Sequence, residues 1–543
     1  MKNTLATLIL LLAAAIPAED GAVQRDVEVM AARMEALHKD LYHAVSKFDF
    51  TMAVERLRRD IPQLSRAQRI VRIAQVVALV RDGHTAVQGL FFNPKVGFGY
   101  YPIQLYWFDD GVFVYATDPA HADLLGAKLV AVGPTSIEEA ESRCATTISR
   151  DNEMGIKSQV PLCLTTPEIL HALGIVPSAE TADFTVEQRG RRRVVRLKPR
   201  PAPRPIIDIG GIGFHFTRPE GWTDWLERSG GTRPPFLARP ADYYWFMELP
   251  ESKTLYVQYN AVADMEHERF AEFTTRLFDS SEARRSEKLV LDVRFNTGGN
   301  NVLNRPFVRS LIRSKFNQSG KLFCLIGRRT FSAAQNLVND LQKYTAVVFI
   351  GEPTATNVNF YGDAARVELP SLDLAVRAST LWWQDMDPRD KRPWTPPHVA
   401  VSYRSADYEQ GSDPALDAAL RYEPEAPVSE LVLKALAEKG TDHALAEAEK
   451  YLQQPERKYV SIEREMNRVG YTLLGQDRIE EAFRVFEWNA SRYATSNSFD
   501  SLGESYRRRH LDGLARVAYQ KAVELDASNL SAAAALAELQ PKP

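Results

Sequence analysis

Ser332, in GRRTFSAAQN (327–336), lies between an apolar run, KLFCLI (321–326), and a helix-like segment ending NLVNDLQKY. A serine there has two uses. With Gln335 it spells S-x-x-Q, a helix capping box. A strand, a tight loop and a helix also put it at the C-terminal edge of a sheet. The free N–H groups of a first helical turn and the helix dipole stabilise an oxyanion at such a place. The spacing suits a cap and a nucleophile alike.

A serine hydroxyl needs a base to become nucleophilic near neutral pH. Of the ten histidines, His84 in LVRDGHTAV (79–87) sits in a glycine-containing loop just past a helix. The bland reading is a solvent-exposed loop histidine. In RFNTGGNN (294–301), Gly298 and Gly299 follow an apolar strand. They are either a turn needing positive φ or a place where a backbone N–H approaches substrate and donates to an oxyanion. No phosphate-loop lysine follows them, which sets nucleotide binding aside. The absence of HExxH and CxxC disfavours a zinc hydrolase.

The elements that would carry these residues follow from pattern. Residues 26–48 place Val27, Met30, Met34, Leu37, Leu41, Val45 and Phe48 at helical spacing. A second helix starts at Ser65, with Gln68 completing a capping box, and is read as stopping at Gly83. From 95 to 200, YPIQLYWF, GVFVYAT, AKLVAVG and RVVRLKP read as short strands. LKPRPAPRPIID (197–208) is a Pro-rich boundary. From 240 to 405 strands alternate with helices: KTLYVQYN, a helix marked by Phe270, Phe273, Leu277 and Phe278, KLVLDV, KLFCLI and AVVFIG. That alternation implies βαβ units and a mostly parallel sheet, whose reactive loops lie at the strand C-terminal ends. RFNTGGNN, GRRTFSAAQ and GEPTATN are those loops. Beyond RYEPEAPVSE the chain turns helical, with a period near 33 that aligns Gly470 with Gly503, Ala482 with Ala515 and Phe486 with Tyr519. The period resembles the tetratricopeptide repeat, although Ala494 and Ala527 stand where its proline is usual. A plain helical bundle is the alternative.

Composition bounds the rest. At 543 residues the chain holds roughly three to four domains. A hydrophobic content of 45%, with 25% charged residues, is that of a globular protein. A net charge of −3 gives no attraction to nucleic acid or an anionic membrane. MKNTLATLILLLAAAIPAED has one lysine, an apolar run too short to span a bilayer, then small residues. It reads as a signal peptide over 1–18 with cleavage near Ala15 or Ala18, an N-terminal anchor being the alternative. Three cysteines are too few for a disulfide scaffold. Cys144 and Cys163 either pair in an oxidising compartment or stay as buried thiols.

Four motifs, DGHT (82–85), LDVRFNTGG (291–299), GRRTFSAAQN (327–336) and GEPT (351–354), occur in this order. Together they resemble the tail-specific protease family, the C-terminal processing peptidases, over about 80–405. The resemblance implies a ClpP/crotonase-like α/β core with Ser332 as nucleophile. It implies an oxyanion hole from the N–H of Ala333 and of Gly298 or Gly299. Residues 97–200 resemble the family's PDZ-like module. Many members use a Ser–Lys dyad, but ATNVNF has Asn357 near the lysine position, and Lys343 is too close to Ser332 along the helix. The chain resembles instead the tricorn-like branch, in which the GHT histidine, here His84, is the base. That branch can place a serine before the histidine, where this chain has Gly83. It also has a distal carboxylate, for which WWQDMDPRDKRPWTPPHVAV (382–401) offers Asp385, Asp387 and Asp390, with Asp387 or Asp390 favoured. A carboxylate near an imidazole sets its tautomer and stabilises the imidazolium. A solvated loop is the bland reading of that run.

The expected molecule is therefore a multidomain α/β protein. It has a signal peptide (1–18), an N-terminal helical region (24–92), a PDZ-like β-rich module (95–200), a linker (201–239), a protease core (240–405) and all-α tetratricopeptide-like repeats (425–543). The expected function is that of an exported serine endopeptidase, periplasmic or extracellular, acting on polypeptides with no metal or organic cofactor. The repeats would bind a protein partner or a second chain. A binding protein for peptide or lipid on the same fold is the alternative, and a hydrolase of a non-peptide ester or amide a third reading.

Overall fold

The computed structural model describes residues 18–201, 208–209, 212–213 and 219–539. The expected signal peptide, all but Ala18, and half of the Pro-rich boundary, 202–207, lie outside the described residues. Two compact units divide the rest, one of 18–395 with 401–421 and one of 396–400 with 422–539.

In the first unit a sheet runs in the order Tyr244–Leu249, Thr254–Tyr259, Lys288–Asp292, Leu322–Ile326, Val348–Gly351. The first pair is an antiparallel hairpin, turned at Lys253 with φ 49°. The others are parallel, with Leu291 opposite Val257 on one side and Cys324 on the other. Leu289, Val290, Leu291 and all of Leu322–Ile326 are buried. Such continuous apolar runs belong to parallel strands covered on both faces. The crossover helices Phe270–Asp279, Asn304–Arg313 and Ala333–Tyr344 contribute Phe270, Phe273, Phe307, Leu311, Leu337 and Leu341 to one core with the strands. This arrangement sends the loops after Asp292, Ile326 and Gly351 out at one edge, as a parallel sheet must.

Ahead of that core lie Ala18–Leu37, Lys47–Asp60 and Arg66–Ala78. The capping box of Ser65 and Gln68 is formed. Two expectations change here. The stretch 26–48 is not one helix: it breaks after Leu37 and restarts at Lys47 behind the N-cap Ser46, leaving Phe48 73% exposed. A serine able to accept from the Asp49 N–H outcompeted continuation of the apolar stripe. The helix from Ser65 ends at Ala78, and Arg81, not Gly83, takes the left-handed φ of 55°.

The β-rich region is an antiparallel sheet with Gly111–Thr117, Lys128–Val132, Ala182–Gln188 and Arg191–Leu197 in that order, and Ile103–Phe108 paired to the first. Ala182–Gln188 was not legible as a strand, nor were the helices Ile137–Ala145, Glu153–Cys163 and Pro167–Ala172 inserted before it. Residues 219–239 are more than a linker: Trp222, Trp225 and Phe236 pack with Tyr106, Phe108 and Tyr408 in an aromatic core.

Cys144 and Cys163 are disulfide-bonded, with Cα atoms 5.9 Å apart, while Cys324 stays a buried thiol. Closing a loop across a sequence separation of 19 residues is worth about 3 kcal/mol in the chain-entropy account. Replacing both cysteines by serine is expected to lower the unfolding free energy of this unit by about that amount. Urea melts with and without reductant check it: the reductant should shift the wild-type midpoint and leave that of the double variant alone.

The second unit is built of consecutive helices, among them Glu463–Gly475, Ile479–Tyr493, Ser496–Arg508 and Asp512–Leu525. Its 33-residue period has a packing cause. A Cβ on Gly470 would lie 2.5 Å from the Phe486 ring, and one on Gly503 would lie 2.7 Å from the Tyr519 ring. Each aromatic of a second helix thus rests on a glycine of the first, and only glycine lets the helices close. No helix of the described residues is long and apolar enough to cross a membrane.

Candidate active site

The strand Leu322–Ile326 runs into a tight loop at Gly327–Phe331 and then the helix Ala333–Tyr344. Thr330 pins the loop: its N–H donates to the Gly327 carbonyl (2.8 Å) and its hydroxyl to the Val293 carbonyl (3.0 Å). The Phe331 N–H donates to the Asn296 carbonyl, and the Ser332 N–H to Thr356 Oγ1, both at 3.0 Å. Held from both sides, Ser332 adopts φ 57°, ψ −123°. For a residue other than glycine this costs of order 1–3 kcal/mol and persists only when the surroundings impose it.

That strain corrects the capping reading. Ser332 occupies the N-cap position, but its hydroxyl caps nothing. Gln335 does not reach back either: its amide donates to Asn339 Oδ1 and Thr395 Oγ1, both at 2.8 Å. The Ser332 Oγ faces His84 Nε2 at 2.8 Å, across 248 residues of sequence. For the hydroxyl to donate to Nε2, the imidazole proton must sit on Nδ1.

His84 is placed from three directions. Its ring stacks on Phe331, with centroids 4.4 Å apart, and lies parallel to Phe360 at 5.7 Å. Thr85 leads into Ala86–Val87, which pairs with Leu374–Ala378, so the loop is sewn to the far end of the core segment. Gly83 is required by close approach: a Cβ there would meet Phe331 Cε2 at 2.7 Å and Asp151 Oδ1 at 3.1 Å. The side chain of His84 is 10% exposed. Burial lowers its pKa from the ordinary value; the charge of Asp82 opposes that, Arg377 adds to it, and Asp363 and the Tyr361 backbone carbonyl also oppose it. The imidazole is thus neutral at neutral pH and able to accept a proton.

The carboxylate beside His84 is Asp82, which sequence reasoning passed over. Asp82 Oδ1 accepts the His84 backbone N–H (2.9 Å) and lies 3.9 Å from His84 Nδ1. Its Oδ2 meets His38 Nε2 (3.1 Å), Thr85 Oγ1 (2.6 Å) and Ser379 Oγ (2.5 Å). Burial pushes its pKa up, but the His38 bond, the His84 charge and the two hydroxyls outweigh it, and the group is held below the usual carboxylate range. Among the described residues His84 Nδ1 has no hydrogen-bond partner of good geometry, and the backbone of Tyr361 is the group that faces it. The signal was present in DGHT itself, where an aspartate two residues before a histidine can accept that residue's N–H as an Asx turn does.

The acidic run does not reach His84. Asp387 pairs with Arg389 (2.8 Å) and Asp390 with Arg392 (2.7 Å), each caught by an arginine two residues on. The carboxylate of Asp385 accepts from Asn336. The Asn359 amide donates to the carbonyls of Asp387 and Asp390, fixing the run as a loop. The charges that act on His84 come from Asp82, Arg377 and Asp363 instead.

Of the glycine pair, Gly298 (φ 99°) abuts the serine: a Cβ on it would lie 2.7 Å from Ser332 Cβ and 2.8 Å from the Ala333 nitrogen. Its own N–H donates to Asn296 Oδ1 at 2.9 Å. Gly299 (φ 139°) bridges to Val262, whose carbonyl would be 2.2 Å from a Cβ there. Among the described residues, neither the Gly299 N–H nor the Ala333 N–H has a protein acceptor. A strained serine, a buried neutral imidazole and backbone donors beside it are the parts of an acyl-transfer site.

Residues 253–363 match peptidase family S41. No curated protein matches the chain. Among solved structures, the chain is similar to mature CPAF complexed with lactacystin, with 11% identity and a TM-score of 0.53, covering 74% of this chain and 98% of that one. Mature CPAF alone gives 13% identity and a TM-score of 0.50, covering 74% and 97%. The photosystem II D1 C-terminal processing protease gives 15% identity and a TM-score of 0.33, covering 74% and 96%. At these identities the likeness to CPAF speaks for the fold alone, and the family match for residues 253–363.

Proposed function

We propose that in this serine peptidase Ser332 is the nucleophile and His84 its general base. The observation that carries this is the 2.8 Å contact between Ser332 Oγ and His84 Nε2. Ser332 attacks a peptide carbonyl as its proton passes to His84 Nε2. The oxyanion forms beside the N–H groups of Ala333 and Gly299. The imidazolium is stabilised by the Asp82 charge and then protonates the leaving amine. Water, activated by the same imidazole, releases the acyl group. The β-rich region over 95–200 acts as a PDZ-like module that holds an extended substrate segment, and the C-terminal helices act as tetratricopeptide-like repeats that bind a partner or a second chain. Export to an oxidising compartment agrees with the Cys144–Cys163 disulfide.

The test is labelling by a fluorophosphonate probe together with cleavage of an unfolded protein such as reduced casein. Both are expected of the wild type. A folded wild type inert in both assays would instead favour a peptide-binding protein, a reading to which the partnerless Nδ1 of His84 lends weight.

Asp82 in this scheme acts through the base. Asp82→Asn keeps the size of the side chain and removes its charge. It is expected to lower kcat by roughly 10- to 1000-fold, as loss of a partly desolvated charge near 4 Å would. Because the carboxylate raises the His84 pKa, the acid limb of kcat/KM should move to lower pH in the variant. A pH–rate profile measures both effects.

A further inference from the structure

Between the helices Ile137–Ala145 and Glu153–Cys163 lies the turn 149–152, carried by the β-rich region rather than by the parallel core. It makes four contacts, three with the loops that carry or brace the candidate pair and one with Pro393. Asp151 Oδ1 accepts the Gly83 N–H at 2.6 Å, one residue before His84. Asp151 Oδ2 accepts the Asn357 N–H at 3.3 Å, one residue after Thr356, whose hydroxyl holds the Ser332 N–H. The Asn152 amide donates to the carbonyls of Thr354 (3.1 Å) and Pro393 (2.5 Å). One carboxyl thus ties the loop of the base to the loop that braces the nucleophile. The turn is itself fixed, because Asn152 caps the helix Glu153–Cys163 through the Met154 N–H (2.9 Å) and the Cys144–Cys163 disulfide closes the segment at both ends.

We infer that Asp151 is a positioning residue for the Ser332–His84 pair, holding the two loops at the separation that the 2.8 Å contact requires. This deepens the serine-peptidase reading and rests on it for its catalytic consequence. Burial, with the nearby Asp82 charge, pushes the Asp151 carboxyl up to about 8, so at neutral pH it is largely the uncharged acid and ties the loops by hydrogen bonds rather than by charge. A displacement of about 1 Å between reacting groups costs on the order of 10²-fold in rate, so the link is worth far more to kcat than to binding.

The experiment compares full-length wild type, Asp151→Ala and Asp151→Asn by two readouts. The first is kcat and KM for casein cleavage at pH 7. The second is the ¹³Cε1–H signal of His84 in histidine-labelled protein, assigned with His84→Gln, with His443, on a helix of the second unit, as the reference. Expected are a kcat about 10- to 100-fold lower in Asp151→Ala with KM within about twofold. Asp151→Asn keeps one acceptor oxygen for the Gly83 N–H but turns an NH2 toward the Asn357 N–H, so it should recover kcat only in part, to a value between those of wild type and Asp151→Ala. The His84 signal should move most in Asp151→Ala, with His443 still. Equal kcat in wild type and Asp151→Ala with an unmoved His84 signal overturns the inference. So does a loss that also moves His443, since that would be general destabilisation. Should wild type be inert, the peptidase reading fails by itself, and the His84 signal still decides: a shift in Asp151→Ala with His443 still upholds the positioning role, and no shift ends it.

Discussion

Ser332→Ala is expected to abolish fluorophosphonate labelling and to lower kcat for casein by on the order of 10⁶-fold, the scale at which loss of a nucleophile leaves only binding and oxyanion contacts at work. The hydroxyl is the only part of the side chain that meets His84 Nε2, and no other described group stands in its place. The fold should survive, since Ser332 Oγ makes no cap that alanine would forfeit. The backbone supplies a second arm. At φ 57° and ψ −123° both serine and alanine are strained, and glycine is not. Ser332→Gly should therefore be as inactive as Ser332→Ala yet more stable than wild type by about 1 kcal/mol. Thermal melts of the three proteins measure this. Labelling or cleavage that persists in both variants would remove Ser332 from the mechanism, whatever their stability.

His84→Ala should be nearly as damaging, lowering kcat by roughly 10⁴- to 10⁶-fold, because base and nucleophile act as a unit and their losses do not add. The double variant with Ser332→Ala should be no worse than either alone. The wild-type pH profile gives an independent view. Burial lowers the His84 pKa despite the opposing charge of Asp82. The neutral, proton-accepting form is therefore retained to lower pH than for a free imidazole of pKa about 6.5. The acid limb of kcat/KM should accordingly fall below that value, and a limb above it would mean that a different group is titrating. His84→Gln separates the ring's packing from its chemistry. It fills part of the gap between Phe331 and Phe360 but supplies no titrating base, so it should be as inactive as alanine.

Much of the molecule was legible because the information was local. A strand buried on both faces must be apolar throughout, and Leu289–Leu291 and Leu322–Ile326 are. A helix needs a 3.6-residue stripe, and Phe270, Phe273 and Leu277 form one. The same locality misled where two local solutions competed. At 26–48 the stripe continued, but Ser46 offered a cap and the helix restarted. At Ser332 and Gln335 the capping spacing was satisfied in sequence, yet the pinned loop rotated the serine into the left-handed region and turned its hydroxyl elsewhere. Asp387 and Asp390 lay where a resemblance suggested a catalytic carboxylate, and the arginines two residues beyond them were the simpler partners.

By itself the sequence determined the order of elements and the chemistry-bearing loops, since strand period, helix period and glycine demand are properties of neighbouring residues. It also supplied Ser332 and His84 as candidates. Which side chains meet was decided only in three dimensions. The closure of 248 residues that brings Ser332 to His84, the choice of Asp82 over the acidic run, and the carboxyl of Asp151 spanning two loops all depend on how packed elements are juxtaposed. Such contacts leave no periodic trace in the chain, because a long loop costs little more to close than a short one and the partners of a buried polar group are set by what the surrounding core permits.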